Sequence, residues 1–506
     1  MEIVLKNRDG DPVTHNATAD AVRIFLADGT TQLLTASEGD SGGGDTANNS
    51  IIPDPEWIDD ICFWDYDGTL MLHFPVDDAA ALSELPTPPE HEGLTFLGWN
   101  YTLEQVRATE YPLDIGAMYI PTDGKTHLRI KTGGNQSIPF NWSQTVSAGV
   151  SFDWGDGSSA TTVSGTGVVT TSHTYTAIGE YDVTITVADG CVMTLGGGSS
   201  SKVFVGSSTV NLRETLIEAY IGNNVVLGDY AMYQNRKLSA LTLPNTIESI
   251  PSNALYQKYC LPVIVIPNSV TSIGVNSIAY IGSIQNRLNS MVVSIPESVV
   301  TLGTSTISNS SGIIRISFPK SITAIPDYTL SYVYRLLRAF MSNHVTTFGS
   351  NNFIGCYHLE QISLPESLTA MGTYCIYNCP SLKKVKIPRS LAAIPQNFLY
   401  AAESITDFFL PASVTSIGSG LLYSAGSLKR ITIEGVTKPT ISTINGLREI
   451  IYLSETVPAS VVNGGSYCEI YVPDSAYDAY YAAFGSSYQP LVHKLSEYPG
   501  KLPTYE

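Results

Sequence analysis

Apolar residues recur through the second half of the chain with two periods at once. Between Val210 and Val472 a proline returns at Pro244, Pro267, Pro296, Pro319, Pro365, Pro388 and Pro411, with Ser342 and Glu434 in the same slot. Neighbouring slots are 23 residues apart except for the step of 29 from Pro267 to Pro296, which holds a six-residue insertion between Tyr280 and Asn289. One and three residues before each slot stand apolar side chains, such as Ile264 with Ile266 or Ile362 with Leu364. Alternation at period two predicts a short strand there. Further apolar columns follow three, six and eleven residues after the slot, as in Val270, Ile273 and Ile278. About five inward side chains per coil are too few to bury alone, and stacking the coils in register makes one long core. The spacing therefore predicts a solenoid over 206–475, with each proline placed where a strand ends and its missing N–H costs least.

Upstream the patterning changes. Residues 1–36 read as two hairpins, one turning at Asp9-Gly10 and one at Asp28-Gly29 between alternating apolar runs. Residues 37–50, rich in Gly, Ser, Asp and Asn, read as a flexible linker. A unit that small buries little core, so it is expected either to pack on a partner as an attachment arm or to fold back on the next domain. Residues 51–112 are framed by Phe63-Trp64-Asp65-Tyr66-Asp67-Gly68-Thr69-Leu70 and by Glu92 to Asn100. Asp65-x-Asp67-Gly-Thr matches the nucleophile motif of haloacid-dehalogenase phosphotransferases, but that chemistry needs a doubly wound domain, a later lysine and further acidic metal ligands. A hairpin turning at Asp67-Gly68 is the expectation. Residues 113–195 carry Phe152 to Ser158, His173-Thr174-Tyr175 and an alternating run from Gly179 to Val187, which reads as a sandwich strand. Asp153 and Asp156 are candidate calcium ligands, yet the loop lacks the ladder of oxygen ligands, which favours turn capping. His173 is expected to be buried and hydrogen-bonded rather than a catalytic base. Glycines and serines at 196–205 read as a hinge, and helix formers after Ile470-Tyr471-Val472 predict a cap and tail over 476–506.

The phrase Ile266-Pro267-Asn268-Ser269-Val270-Thr271-Ser272-Ile273 and its copies resemble the BspA-type leucine-rich repeat family, over about half of the chain. The pairing of Phe63 to Thr69 with Gly93 to Asn100 resembles the Listeria–Bacteroides repeat, a small β-grasp-like module; Val76 to Leu85 is longer and more helical than that family's spacer. Trp154-Gly155-Asp156-Gly157 with the His173-x-Tyr175 corner resembles the polycystic-kidney-disease (PKD) domain. Together these imply a mainly β, multidomain chain: hairpin arm, β-grasp-like module, PKD/Ig-like β-sandwich, leucine-rich-repeat solenoid and helical cap.

Composition narrows the function. A chain of 506 residues, 43% hydrophobic and without long charge runs, is globular, and its length suits three or four domains. A net charge of −19 argues against nucleic-acid or anionic-membrane binding. Seven cysteines make no disulfide framework, and Cys356 with Cys379, one repeat apart in one column, are expected as stacked buried thiols. No apolar run is long enough to span a membrane. Met1 to Lys6 lacks the basic-then-apolar start of a signal peptide.

The outward strand positions gather Arg315, Arg338, Lys384 and Arg430 with Phe340, Lys386 and Phe409. This stripe is the candidate contact surface for an acidic glycan or protein, the alternative being an ordinary solvated sheet face. No cofactor, metal or catalytic residue is expected. The resemblances imply a surface adhesin, and the missing signal peptide turns the expectation toward a bacteriophage tail or head fibre at the virion surface. Such a protein would hold virion proteins through residues 1–36 and a host glycan or protein through the solenoid, with homo-oligomers left open. A purely structural decoration protein and a bacterial surface adhesin are the alternatives.

Overall fold

The computed structural model describes residues 22–25, 31–34, 55–196, 214–282, 291–437, 446–459, 461–462 and 467–505. The chain divides into two compact units, Met1–Ile51 and Ile52–Glu506. In the first, β1 (Val22–Phe25) and β2 (Thr31–Leu34) pair antiparallel with Phe25 opposite Thr31, the hairpin expected across Asp28-Gly29. The Asp9-Gly10 hairpin, the linker at 37–50, residues 197–205 of the hinge and residues 283–290 of the insertion lie outside the described residues.

The second unit begins with a four-stranded sheet of order β4-β3-β6-β5, made from β3 (Asp60–Trp64), β4 (Leu70–Pro75), β5 (Leu94–Trp99) and β6 (Asp114–Pro121). Phe63, Trp99, Tyr101, Val106, Ile115 and Tyr119 close a small core on one face of this sheet. The short helix α1 (Leu103–Arg107) starts at a capping box, in which Thr102 and Gln105 satisfy each other's free backbone N–H groups. The last strand, β6, is buried almost end to end because its other face meets the solenoid, where Gly116 lies against Val265 and the Ser294 hydroxyl donates to the Asp114 carbonyl.

β6 runs directly into β7 (Thr126–Gly133) of a β-sandwich. The sandwich also contains β8 (Gln136–Gln144), β9 (Val150–Asp153), β10 (Thr161–Thr162), β11 (Gly167–Tyr175), β12 (Ile178–Val187) and β13 (Met193–Leu195). Both of its sheets continue into the solenoid. β7 pairs antiparallel with β14 (Leu216–Tyr220), which pairs in parallel with β16 (Ala240–Thr242), while β13 pairs in parallel with β15 (Val225–Leu227). The sandwich thus closes the open edge of the first coil, and one apolar core runs from Leu128 to Val492.

Each coil from the Pro244 slot to the Pro411 slot carries the expected strand before the slot and a second, two-residue strand behind it. Arg315–Phe318 lies in parallel register on Arg338–Met341, and Ser272–Ile273 lies between Ser249–Ile250 and Thr301–Leu302. The hydroxyls of Ser269, Ser321, Ser367 and Ser390, two residues after the slot, donate to carbonyls of the preceding coil at 2.6–2.7 Å. Nine residues after the slot the backbone turns left-handed at Asn253 (φ 58°), Asn276 (φ 53°), Asn351 (φ 62°) and Asn397 (φ 56°), a region asparagine tolerates. This turns the N–H of Asn351 onto Thr373 of the next coil at 3.0 Å and that of Asn397 onto Ser419 at 2.8 Å. Coil backbones also approach closely: a Cβ on Gly372 would stand 2.3 Å from the Ser350 nitrogen.

The thiols of Cys356 and Cys379 are buried and free, and donate to the carbonyls of Leu330 (3.2 Å) and Phe353 (2.9 Å) in the coil before, so they stack as expected. At the far end Glu469–Val472 pairs with Val492–Lys494, and α2 (Tyr477–Ala483) lies across the last coil with Tyr480 fully buried.

Candidate binding surface

The outward face of the strand ladder is divided in two. Over the coils from Val263 to Met341 it is covered by the β3–β6 sheet. Gly116 of β6 passes so close that a Cβ there would meet the Val265 side chain at 2.5 Å. Asn100 donates to Ile266 O (3.0 Å) and Ser294 Oγ (2.8 Å) while accepting from the Gly116 N–H (2.8 Å). Cys62 and Trp64 bury Val263 and Val292.

Arg315 is the centre of this contact and is 2% exposed. Its guanidinium donates to both carboxylate oxygens of Asp114 (2.6 and 3.1 Å), to the carbonyls of Trp57, Ile58, Asp60 and Leu113 (2.7–3.0 Å), and lies over the Trp57 ring. Burial opposes its charge, and Asp114 more than offsets this, holding its pKa above the ordinary arginine value. Arg338 is also buried, 3.8 Å from Asp59, and Phe340 packs against the core of the β3–β6 sheet. The expectation of one exposed basic stripe is therefore corrected: Arg315, Arg338 and Phe340 are the seat of an upstream module, because outward on the strand is not outward on the molecule.

The other half, from Gln361 onward, is open but less basic than its sequence suggests. Lys384 is exposed. Arg430 is held between Asp407 (3.0 Å) and Glu449 (2.6 Å), and Lys386 pairs with Glu366 (3.1 Å). Lys386 and Phe409 also touch Tyr505 of the chain's last segment, which folds back across the strands.

The upstream candidates are turn residues. Asp65 accepts from the Tyr66 N–H and from His91 at 2.7 Å, and Asp67 accepts from the Thr69 N–H, so the dehalogenase-like pair fastens the β3–β4 turn. Asp153 and Asp156 likewise cap the N–H groups of Gly155 and Ser158. Hydrogen bonds from Ser158 and then His173 hold Asp156 down at about 2. His173 is half-buried rather than buried, stacked on Trp154 with ring centres 4.9 Å apart and 2.7 Å from Asp156.

Sequence reasoning missed a row of tyrosines on the loop side of the coils. Tyr377, Tyr400 and Tyr423 stand in one column, twelve residues after the slot, with ring centres 4.8 and 4.6 Å apart and nearly parallel planes. Tyr233 and Tyr256 stack in the same way at 4.9 Å, and Tyr280 follows at 5.0 Å. Tyr423 and Tyr280 are exposed at the ends of these rows. The recurrence at a step of 23 was available in the sequence, but only the apolar aliphatic columns carry the solenoid signal and the tyrosines fall beside them.

The model of the BspA type leucine rich repeat region matches six copies over residues 211–288, 284–361 and 335–445. Residues 211–445 belong to the BspA-type leucine-rich repeat family. No curated protein matches the chain. Among solved structures it is similar to a leucine-rich repeat protein from Bacteroides ovatus, with a TM-score of 0.41 and 19% identity over 52% of this chain and 64% of that one. It thus spans somewhat less than two thirds of that protein. A leucine rich cell surface protein from Faecalibacterium prausnitzii is similar at a TM-score of 0.32 and 17% identity over 53% of this chain and 84% of that one. A pneumococcal vaccine antigen is similar at 0.30 and 14%, over 61% and 84%. Among the described residues, no helix of this repeat protein is long and apolar enough to cross a membrane.

Proposed function

We propose that this BspA-type repeat protein is a non-catalytic adhesion protein whose solenoid holds a polyhydroxylated surface ligand, a glycan chain, along the tyrosine row. The observation that carries this reading is the stack Tyr377–Tyr400–Tyr423, with one ring per coil at 4.6–4.8 Å and Tyr423 43% exposed. Each phenol offers an apolar edge and a hydroxyl, the pairing that suits a sugar's alternating C–H and O–H groups. Because the rings are fixed by a rigid core, little conformational freedom is lost on binding. The test is binding of the full chain to an array of surface polysaccharides and to whole cells. Tyr400→Ser with Tyr423→Ser should remove binding and leave the melting curve in place; unchanged binding would send the search to the open strand face.

We read the protein further as displayed on a virion, with residues 1–36 as its docking arm. Support comes from that segment lying in a compact unit of its own, Met1–Ile51. The second reading is a bacterial surface adhesin, favoured by the repeat family. Recovery of the chain in purified virions supports the first; recovery in washed cell envelopes supports the second.

A further inference from the structure

The open strand face is already occupied at one point, by the chain itself. Residues 499–505 have no regular structure, and Lys501, Leu502 and Thr504 are exposed. Tyr505 holds the segment down. Its hydroxyl donates to the Ile387 carbonyl at 2.6 Å, its ring lies 4.2 Å from the Arg389 guanidinium and 4.4 Å from the Lys386 ammonium, and Phe409 meets it edge-on at 5.5 Å. Burial, with Glu366 beside it, pushes the phenol up to about 12, so it remains a donor across the physiological range.

We propose that this face is a docking slot for an extended peptide bearing a tyrosine, and that residues 499–505 fill it in cis. The proposal stands independently of the glycan reading, which concerns the loop side. Three features define the slot. Two cations on one ring give it an aromatic preference. The walls stand without the tail, since Arg389 is clamped by both oxygens of Glu434 at 2.7 and 2.8 Å and Lys386 is paired with Glu366. The Ile387 carbonyl selects a hydroxyl donor, so tyrosine is preferred to phenylalanine. An intramolecular occupant competes at a high effective concentration, so a partner peptide gains access only when it outbids or displaces the tail.

The probe is a fluorescent synthetic peptide with the sequence of residues 499–505, added to the full-length chain. The Tyr505→Ala chain should bind it about tenfold or more tightly than the unaltered chain, because the competing ring is gone. A peptide ending in phenylalanine should bind the same variant several-fold more weakly. Adding Arg389→Ser and Phe409→Ser to Tyr505→Ala should abolish binding while the melting temperature stays within a few degrees. Equal binding to the unaltered and Tyr505→Ala chains, or none to either, overturns the proposal. So does binding that survives loss of Arg389 and Phe409.

Discussion

Asp114 and Arg315 lie 201 residues apart in the chain and form a two-pronged ion pair, both side chains 1–2% exposed, between the last strand of the upstream sheet and a mid-solenoid coil. The Trp64 indole donates to the same carboxylate at 2.7 Å. Removing one partner of such a pair leaves the other charge buried and unpaired. Asp114→Asn should therefore cost about 3–5 kcal/mol, read from urea unfolding. Replacing both together, with Asp114→Leu and Arg315→Met, should cost less because no charge is left behind, the remaining loss coming from the Trp64 indole N–H and the Ile58 carbonyl, which lose their partners. A wild-type transition for Asp114→Asn would mean the module is seated by its apolar contacts and the Asn100 hydrogen bonds without the ion pair.

The inward half of the solenoid was legible because every coil repeats the same demand: Ile264, Ile316 and Ile362 stand in one column and all are buried. The repeated Ser269, Ser321 and Ser367 and the left-handed Asn253, Asn276 and Asn351 were equally open to reading, since each makes the same bond or turn in its own coil. The outward half was not. Arg315 and Lys384 look alike from their neighbours in sequence, and only a segment two hundred residues upstream makes one a buried anchor and leaves the other exposed. Tyr505 escaped for the same reason, as its contacts at Ile387 lie 118 residues away.

The continuity of the sandwich with the first coils leads to a prediction about truncation. Removing residues 1–200 takes β7 from β14 and β13 from β15, and uncovers Leu216, Ala219 and Val225, all now 0–1% exposed. That fragment should aggregate or lose its cooperative transition. A fragment beginning at Thr122 keeps the sandwich and should unfold cooperatively. Cooperative unfolding of both fragments would show that the sandwich is not needed as a lid.

The thiols provide a second test of packing. Cys356, Cys375 and Cys379 are fully buried, and burial raises their pKa values far from the range in which a thiolate forms near neutrality. Reaction with a thiol reagent at pH 8 should be confined to Cys260, the one cysteine that is half-buried, until denaturant is added. Mass mapping of several fast-reacting sites in the native protein would contradict the coil packing.

The last prediction concerns Lys258, which occupies the column that holds Cys356 and Cys379 further along. It is 0% exposed, and its ammonium nitrogen donates to the Met232 and Tyr256 carbonyls. Burial pushes its pKa well below the ordinary 10.5. Between that lowered value and 10.5 the unfolded chain binds a proton that the folded chain does not, so Lys258 makes stability rise with pH across this window. Burial raises the Tyr256 pKa, which acts in the opposite sense as pH rises through the ordinary tyrosine value, but that contribution is common to a variant retaining Tyr256 and cancels in the difference. Lys258→Met keeps the stem and removes the titrating amine; both carbonyls still accept, from the N–H groups of Asn235 (3.3 Å) and Gln234 (2.8 Å). The variant should be more stable by about 1–3 kcal/mol at pH 7, with the advantage shrinking to nothing as pH climbs past the lysine's ordinary value. Urea midpoints measured for both proteins from pH 6 to about 11 decide it. A constant gap between the two curves would mean that the amine stays charged inside the fold.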